Sequence, residues 1–344
     1  MSIPSPSLPV DSQLATGTAA PDDPGLGEWQ GGWHGAVRLQ FQQGSQGHTI
    51  HQGSALAPMK LPRAIQRGDG RCELPLLHTA GGLVGGDQIT IAAELAAGSA
   101  ALLTSVAAQK VYGSVGRSRL RPAGAWARQQ LSFDLLAGAD LEWLPQELVL
   151  FSNGLMEQRC RVELAETASF LGAEVVRLGR SAAGEVLDAG RWRSQLEIRR
   201  QLSQGWRWEL VDRLELAGDA LTNEHGMAGA AVYGSLVWAA PAPLAGPALA
   251  QLLADCRNDR LGLAGTMACG PLEQGLVARY RGPSSQAARH WFTRIWARIR
   301  AVRGLAAPQL PRVWPFQEAP LSETPLSIAE QHQTAYAQAG FAAP

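Results

Sequence analysis

Hydrophobic and polar residues alternate with a period of two along most of this chain, which is the pattern of half-buried strands. It is clear in Val37-Arg38-Leu39-Gln40-Phe41 and in Ile89, Ile91, Ala93 and Leu95. The same reading predicts strands at 148–151, 158–164, 173–178, 192–201, 206–216 and 229–238. A helical period appears only late. Between Pro247 and Arg257 it puts Leu249, Leu252, Leu253 and Cys256 on one face. A second helix, capped by Ser284 or Ser285, runs to about Val302 with Ala288, Trp291, Ile295, Ile299 and Val302 on its apolar face. Few strands alternate with helices, so the pattern argues against a parallel βαβ fold and for a mainly β body.

Three stretches echo one another: LAAGSAALLT (95–104), LLAGADLEWL (135–144) and LAETASFLGA (164–173). Each reads as strand, tight turn, strand. The turn centres near Gly98, Gly138 and Thr167 are about 40 and 29 residues apart. Unequal spacing argues against a strict solenoid and for stacked β layers, with chance similarity of hairpins as the alternative. Residues 1–28 are rich in Pro, Ser, Gly and Ala and are expected to be disordered. Residues 29–316 form the β domain, with helices near 247–257 and 285–302. Residues 317–344 read as a proline-punctuated tail with a short helix within 327–339.

Composition narrows the function. In 344 residues, 30 basic and 30 acidic side chains cancel, which argues against a general nucleic-acid binder or a membrane-surface protein. Cys72, Cys160, Cys256 and Cys269 are scattered without a CxxC pair and are expected to be free thiols in a reducing compartment. The segment Gly226–Ala254 has no charged side chain, but its prolines make a strand, a loop and a helix start the better reading than a membrane span. MSIPSPSLPV has neither a basic nor an apolar signal region, so the expected location is the cytoplasm.

The stretch HTAGGLVGGD (78–87) has the glycine spacing of a phosphate loop between Gly81 and Gly86. Asp87 stands where that loop needs Lys, and QITIAAEL after it alternates like a strand, so nucleotide binding is disfavoured. Gly81, Gly82, Gly85 and Gly86 instead mark a structural loop between strands. Asp87 at its rim is a candidate cation contact. The histidines form no HxxxH pair, and no nucleophile elbow, Ser/His/Asp series or paired-acid motif appears. Glu142 and Glu147 in LEWLPQELVLF and Glu174 in LGAEVVRLGR are further carboxylates of interest, each with a solvated or salt-bridged role as the plainer reading. Lys110 is one of two lysines among the 30 basic residues. Arg289, Arg294, Arg298, Arg300 and Arg303 crowd the second helix. Either they form a solvated face or, together with Trp291, they form a docking surface.

LLHTAGGLVGGD (76–87), ALLTSVAAQKVYGS (101–114), LEWLPQELVLF (141–151), VVRLGRSAAGE (175–185) and PRVW (311–314) together resemble the urease accessory protein UreD family, called UreH in some systems. The resemblance runs in order over about residues 29–316. It implies an elongated, multi-layered β-sheet body of many strands with two α-helices in the C-terminal third, and a non-catalytic scaffold. It further implies binding to the urease apoprotein and to a helical partner, UreF, which recruits the GTPase UreG for nickel insertion. No tightly bound cofactor is implied; GTP belongs to the partner and nickel is cargo. A hydrated nickel passage would use sparse carboxylates, here Asp87, Glu142, Glu147 and Glu174, with His78 as an imidazole, because several His or Cys ligands would hold the ion too tightly to release it. Lys110, Tyr112, Trp291, Arg294 and Arg298 are the expected partner contacts. Thr79 and Ala80 stand where the family commonly has two prolines, and Gln109 and Gly113 replace residues around its Lys-Val-Tyr element, which puts a partner contact at Gly113 in doubt. A β-fold hydrolase or transferase sharing these loops, or a nucleotide-binding module, are the rival readings.

Overall fold

The structure is a computed structural model that describes residues 32–44, 46–315 and 318–321. The expected disorder of 1–28, the helix within 327–339 and all of the tail but 318–321 lie outside the described residues.

Two sheets carry the described chain. The first has seven strands: β1 (His34–Gln43), β2 (Thr49–Leu56), β6 (Gln88–Leu95), β9 (Ala127–Leu135), β12 (Leu155–Leu164), β14 (Arg191–Leu202) and β15 (Gly205–Leu216), in the order β15-β14-β12-β9-β6-β1-β2. The second has eleven. Its main path is β17 (Thr266–Leu272), β18 (Gly275–Gly282), β16 (Val232–Ala239), β13 (Ser169–Leu178), β10 (Asp140–Trp143), β7 (Ala100–Ser105), β5 (Cys72–His78) and β3 (Met59–Lys60). The short strands β4 (Ile65–Gln66), β8 (Gln109–Val111) and β11 (Leu148–Leu150) attach beside it. Helices α1 (Gly246–Asn258) and α2 (Ser285–Val302) cover its far face.

The layers explain the sequence pattern. In β6 burial alternates, because one face meets the other sheet and the opposite face meets solvent. In β16 every residue is buried, and in β7 all but the two end residues are, because these strands lie between a sheet and helices. One core therefore lies between the sheets, with Phe133 packed on Trp143 and Phe170 at ring centroid distances of 5.6 and 6.0 Å. A second lies between sheet and helices, around Trp238, Trp291, Phe292 and Trp296.

The echo has a structural meaning different from hairpins. Each repeat is an arch that ends a strand of the first sheet and begins a strand of the second. Successive arches stack: β10 runs parallel to β7 with Asp140 opposite Ala100, and to β13 with Asp140 opposite Ser169. Gly98 donates its N–H to the Ala137 carbonyl at 2.9 Å, and Gly138 donates to Thr167 Oγ1 at 2.9 Å. Parallel pairing is thus achieved without helical crossovers, through excursions into the opposite sheet. The expectation against βαβ units holds, while the solenoid-like stacking is stronger than unequal spacing implied.

The two helices form where the apolar period places them. Pro247 opens α1, and Ser284 caps α2 by accepting the Ala287 N–H at 3.1 Å. Trp291 is corrected here: it is 0% exposed and donates its indole N–H to the Cys256 carbonyl, so it is a core anchor joining the helices and not a partner contact. Burying a side chain of this kind stabilises the fold by roughly 1.5–3 kcal/mol.

Candidate functional site

Between the sheets lies a cavity of about 320 Å³. A single water needs roughly 10–15 Å³, so the space has room for a group of waters or a hydrated ion. The first sheet contributes Ile89, Gln129, Gln158, Cys160 and Ser194; the second contributes His78, Trp143, Gly172, Glu174 and Ser235. Apolar strand positions are interrupted here by inward-facing amides. Gln158 donates to Gln129 Oε1 at 2.9 Å and accepts the Trp192 indole N–H at 2.6 Å. Gly81 and the exposed Lys110 also border the cavity, which places one side of it next to the glycine loop.

The alternation along each strand decides which candidate carboxylates reach this space. In β13, Phe170, Gly172, Glu174 and Val176 face the other sheet, while Leu171 and Val175 face the helices. Glu174 is half-buried and borders the cavity, with only long contacts to Ser194 Oγ at 3.4 and 3.5 Å. Burial pushes its pKa up to about 7; Arg279 opposes that rise and Asp212 adds to it. The carboxyl therefore exchanges its proton near neutrality. His78 also borders the cavity, and its buried Nε2 has no hydrogen-bond partner among the described residues. Burial lowers its pKa, against the pull of Asp87, which favours a neutral ring with a free nitrogen lone pair.

Asp87 itself is 2% exposed and serves the loop. Its Oδ2 accepts the Val84 N–H at 2.8 Å while its own N–H bonds the Val84 carbonyl at 3.0 Å. Asp87 thus closes the glycine turn and sets the field at His78, and it does not stand at an open rim.

Glu142 and Glu147 point the other way. In LEWL, Leu141 and Trp143 face the opposite sheet, so Glu142 faces α2. There it accepts from the Trp296 indole and from Arg300, each at 2.8 Å, with Arg71 at 3.4 Å. Glu147 is paired with Arg289. Arg300 and Arg71 also bind Asp69, and Arg71 and Arg303 bind Asp140. This network locks α2 to the second sheet. Neither Glu142 nor Glu147 borders the inter-sheet cavity.

The arginines of α2 are similarly occupied. Arg294 donates to the carbonyls of Asp259 and Pro320, and Arg298 holds Asp259 through two 2.9 Å bonds. Arg298 is exposed, and Arg294 is half-buried. Tyr112 is half-buried, edge-on to Phe151 at 5.1 Å.

The glycine loop is built by steric need. Gly81, Gly82 and Gly86 have φ of 75°, 159° and 107°. Gly85 is required for room instead: a Cβ there would lie 2.1 Å from Ser114 Oγ and 2.7 Å from the Ala125 carbonyl.

Among the described residues no three His, Cys, Asp or Glu side chains converge as a metal cage. No described helix is long and apolar enough to cross a membrane. Residues missed from sequence alone are Gln129, Gln158, Cys160 and Ser194; the signal was polar side chains in register with inward apolar ones, as in Ala127, Gln129, Leu131 and Phe133.

Fold and site define a class: a two-sheet, arch-stacked β scaffold with a helical cover and a polar-lined cavity between its sheets. The model of the family described as UreD urease accessory protein matches residues 34–315, and the chain belongs to that family. It is 62% identical over 296 residues to the urease accessory protein UreD of Synechococcus sp. (strain WH7805), covering 84% of this chain and 93% of that one. It is 60% identical over 295 residues to the protein of the same description from Parasynechococcus marenigrum (strain WH8102), covering 86% and 94%. A third, from Prochlorococcus marinus (strain MIT 9303), is 60% identical over 292 residues, covering 83% and 98%.

Proposed function

We propose that this protein is a non-catalytic scaffold of urease maturation in the cytoplasm, which binds the urease apoprotein together with a UreF-like protein and, through it, the UreG GTPase. Nickel is the cargo, and the inter-sheet cavity is its passage. The observation that carries this reading is family membership across 34–315, joined to a cavity that crosses the same residues.

The chemistry of the lining supports transit over storage. Glu174, His78 and Cys160 offer one carboxylate, one imidazole nitrogen and one thiol that burial keeps protonated, and among the described residues no three such ligands form a cage, which is less than the tight capture that multiple soft or imidazole ligands give. The amides of Gln129 and Gln158 and the hydroxyls of Ser194 and Ser235 can exchange hydrogen bonds with an ion's water shell. Asp87 contributes to the field at His78, while Glu142 and Glu147 hold α2 in place.

Deleting the gene while keeping the urease subunits tests the reading. The expected urease is assembled but nickel-poor. Normal nickel content without this chain overturns it.

A further inference from the structure

The loop between β8 and β9 carries Arg117, Arg119 and Arg121 around Leu120, and residues 113–125 contain no Asp or Glu. Leu120 is 94% exposed. The three arginines are also exposed, and among the described residues their side chains make no ion pair or hydrogen bond. This sets them apart from the arginines of α2, each of which has an acidic or carbonyl partner.

The neck of the loop is fixed. Ser114 Oγ donates to the Ala125 carbonyl at 2.9 Å and accepts the Ala125 N–H at 2.8 Å. The N–H groups of Ser114 and Val115 both reach the Asn153 carbonyl, at 2.8 and 3.0 Å. Gly116 closes on the Pro122 carbonyl at 2.8 Å. Gly85 leaves the space in which Ser114 sits, so the glycine stretch is also the seat of this loop.

We propose that residues 116–122 are a docking peg for a protein partner with an acidic surface around an apolar notch that receives Leu120. A fixed neck means that little ordering entropy is lost on binding. Unpaired arginines beside one apolar residue suit a desolvated protein contact. Nucleic acid or anionic lipid would call for a longer basic track or a broader apolar face than one leucine and three arginines provide. Gly81 of the glycine loop borders the cavity and Gly85 of the same loop seats the peg, so such a partner sits near the proposed passage. The inference rests on the maturation-scaffold reading, since the partner is one of the proteins of that assembly.

The test uses full-length chain, the purified urease apoprotein and each purified accessory protein. Two variants are compared with wild type: Leu120→Asp, and the triple reversal Arg117→Glu, Arg119→Glu, Arg121→Glu. Both should keep the wild-type melting temperature; if the triple variant does not, Leu120→Asp decides. The expected result is that one partner loses at least tenfold in affinity with each variant, and that added salt weakens its binding to wild type. If the partners bind wild type and both variants within twofold, the peg is refuted and the scaffold reading stands. If none binds wild type, both fall. Loop-dependent binding to duplex DNA or to phosphatidylglycerol vesicles, with protein binding unchanged, also refutes the peg.

Discussion

Arg300 reaches across 158 positions of sequence to donate to Glu142 Oε1 at 2.8 Å, with both side chains almost completely buried. Around this pair the indole of Trp296 and the guanidinium of Arg71 complete a charged network that fastens α2 to the second sheet. Removing one partner of such a pair leaves the other charge buried and uncompensated, at a cost of roughly 3–5 kcal/mol. Glu142→Ala and Arg300→Ala are each expected to destabilise by about that much in urea unfolding. Loss of nickel delivery in these variants should follow the fraction unfolded. Wild-type stability with lost delivery would instead give Glu142 a direct role with the ion.

Arg200 gives a second buried anchor. It is fully buried, pairs with Glu209 at 2.6 Å and donates to the carbonyls of Ala168 and Ala240 at 2.7 and 2.8 Å. Arg200→Ala is expected to cost about 3–5 kcal/mol. The exposed pair Arg193–Glu215 at 3.0 Å provides the contrast. Glu215→Ala should change stability by less than about 1 kcal/mol.

Glu174 makes stability depend on pH. Its folded pKa lies near 7, above the ordinary value of 4.5, so the folded state binds more protons than the unfolded state between these values. Stability is then greatest below about 4.5 for this group's contribution, falls as pH rises, and levels off above about 7. The fall amounts to a few kcal/mol at most. Glu174→Gln removes this component, so the difference between wild type and variant should widen in favour of the variant from pH 5 to about 7. A difference independent of pH would show that the carboxyl titrates normally.

The glycine loop separates two costs. Gly81 has open space around a Cβ but a φ of 75°, whereas Gly85 has an ordinary φ and no room. Gly81→Ala should cost roughly 1–2 kcal/mol from the left-handed backbone. Gly85→Ala forces Ser114 and Ala125 apart, and overpacking of this kind costs about 1–3 kcal/mol. Only Gly85→Ala should disturb the β8–β9 loop, read as faster amide exchange at Ala125. Equal exchange in both variants would show that Gly85 is not its seat.

Local chemistry made α2 legible: the apolar period over Ala288, Trp291, Ile295 and Ile299 and the Ser284 cap locate it closely. Strands β1, β6, β12, β14 and β15 of the first sheet were legible from their own residues as well, whereas β2, which is mostly exposed and does not alternate, and β9 were not read as strands. The arches were visible as an echo, but their stacking was not, because parallel register depends on strands 29 and 40 residues apart. Glu142 and Glu174 look alike in sequence. What separates them is that the second sheet is covered on both faces, so one carboxyl meets arginines and the other meets the cavity. The arginines of α2 likewise read as a free basic face, because their partners Asp69, Asp140, Glu142 and Glu147 lie far away in the chain.

The most direct measurement is nickel per urease active site after the cavity is filled by Ser194→Trp, with the maturation complex isolated in parallel. Ser194 borders the cavity and makes only long contacts to Glu174, so a larger side chain occupies the space at little cost in specific bonds. An intact complex that delivers several-fold less nickel is the expected result. An intact complex with the cavity filled and full nickel loading would contradict passage through this protein.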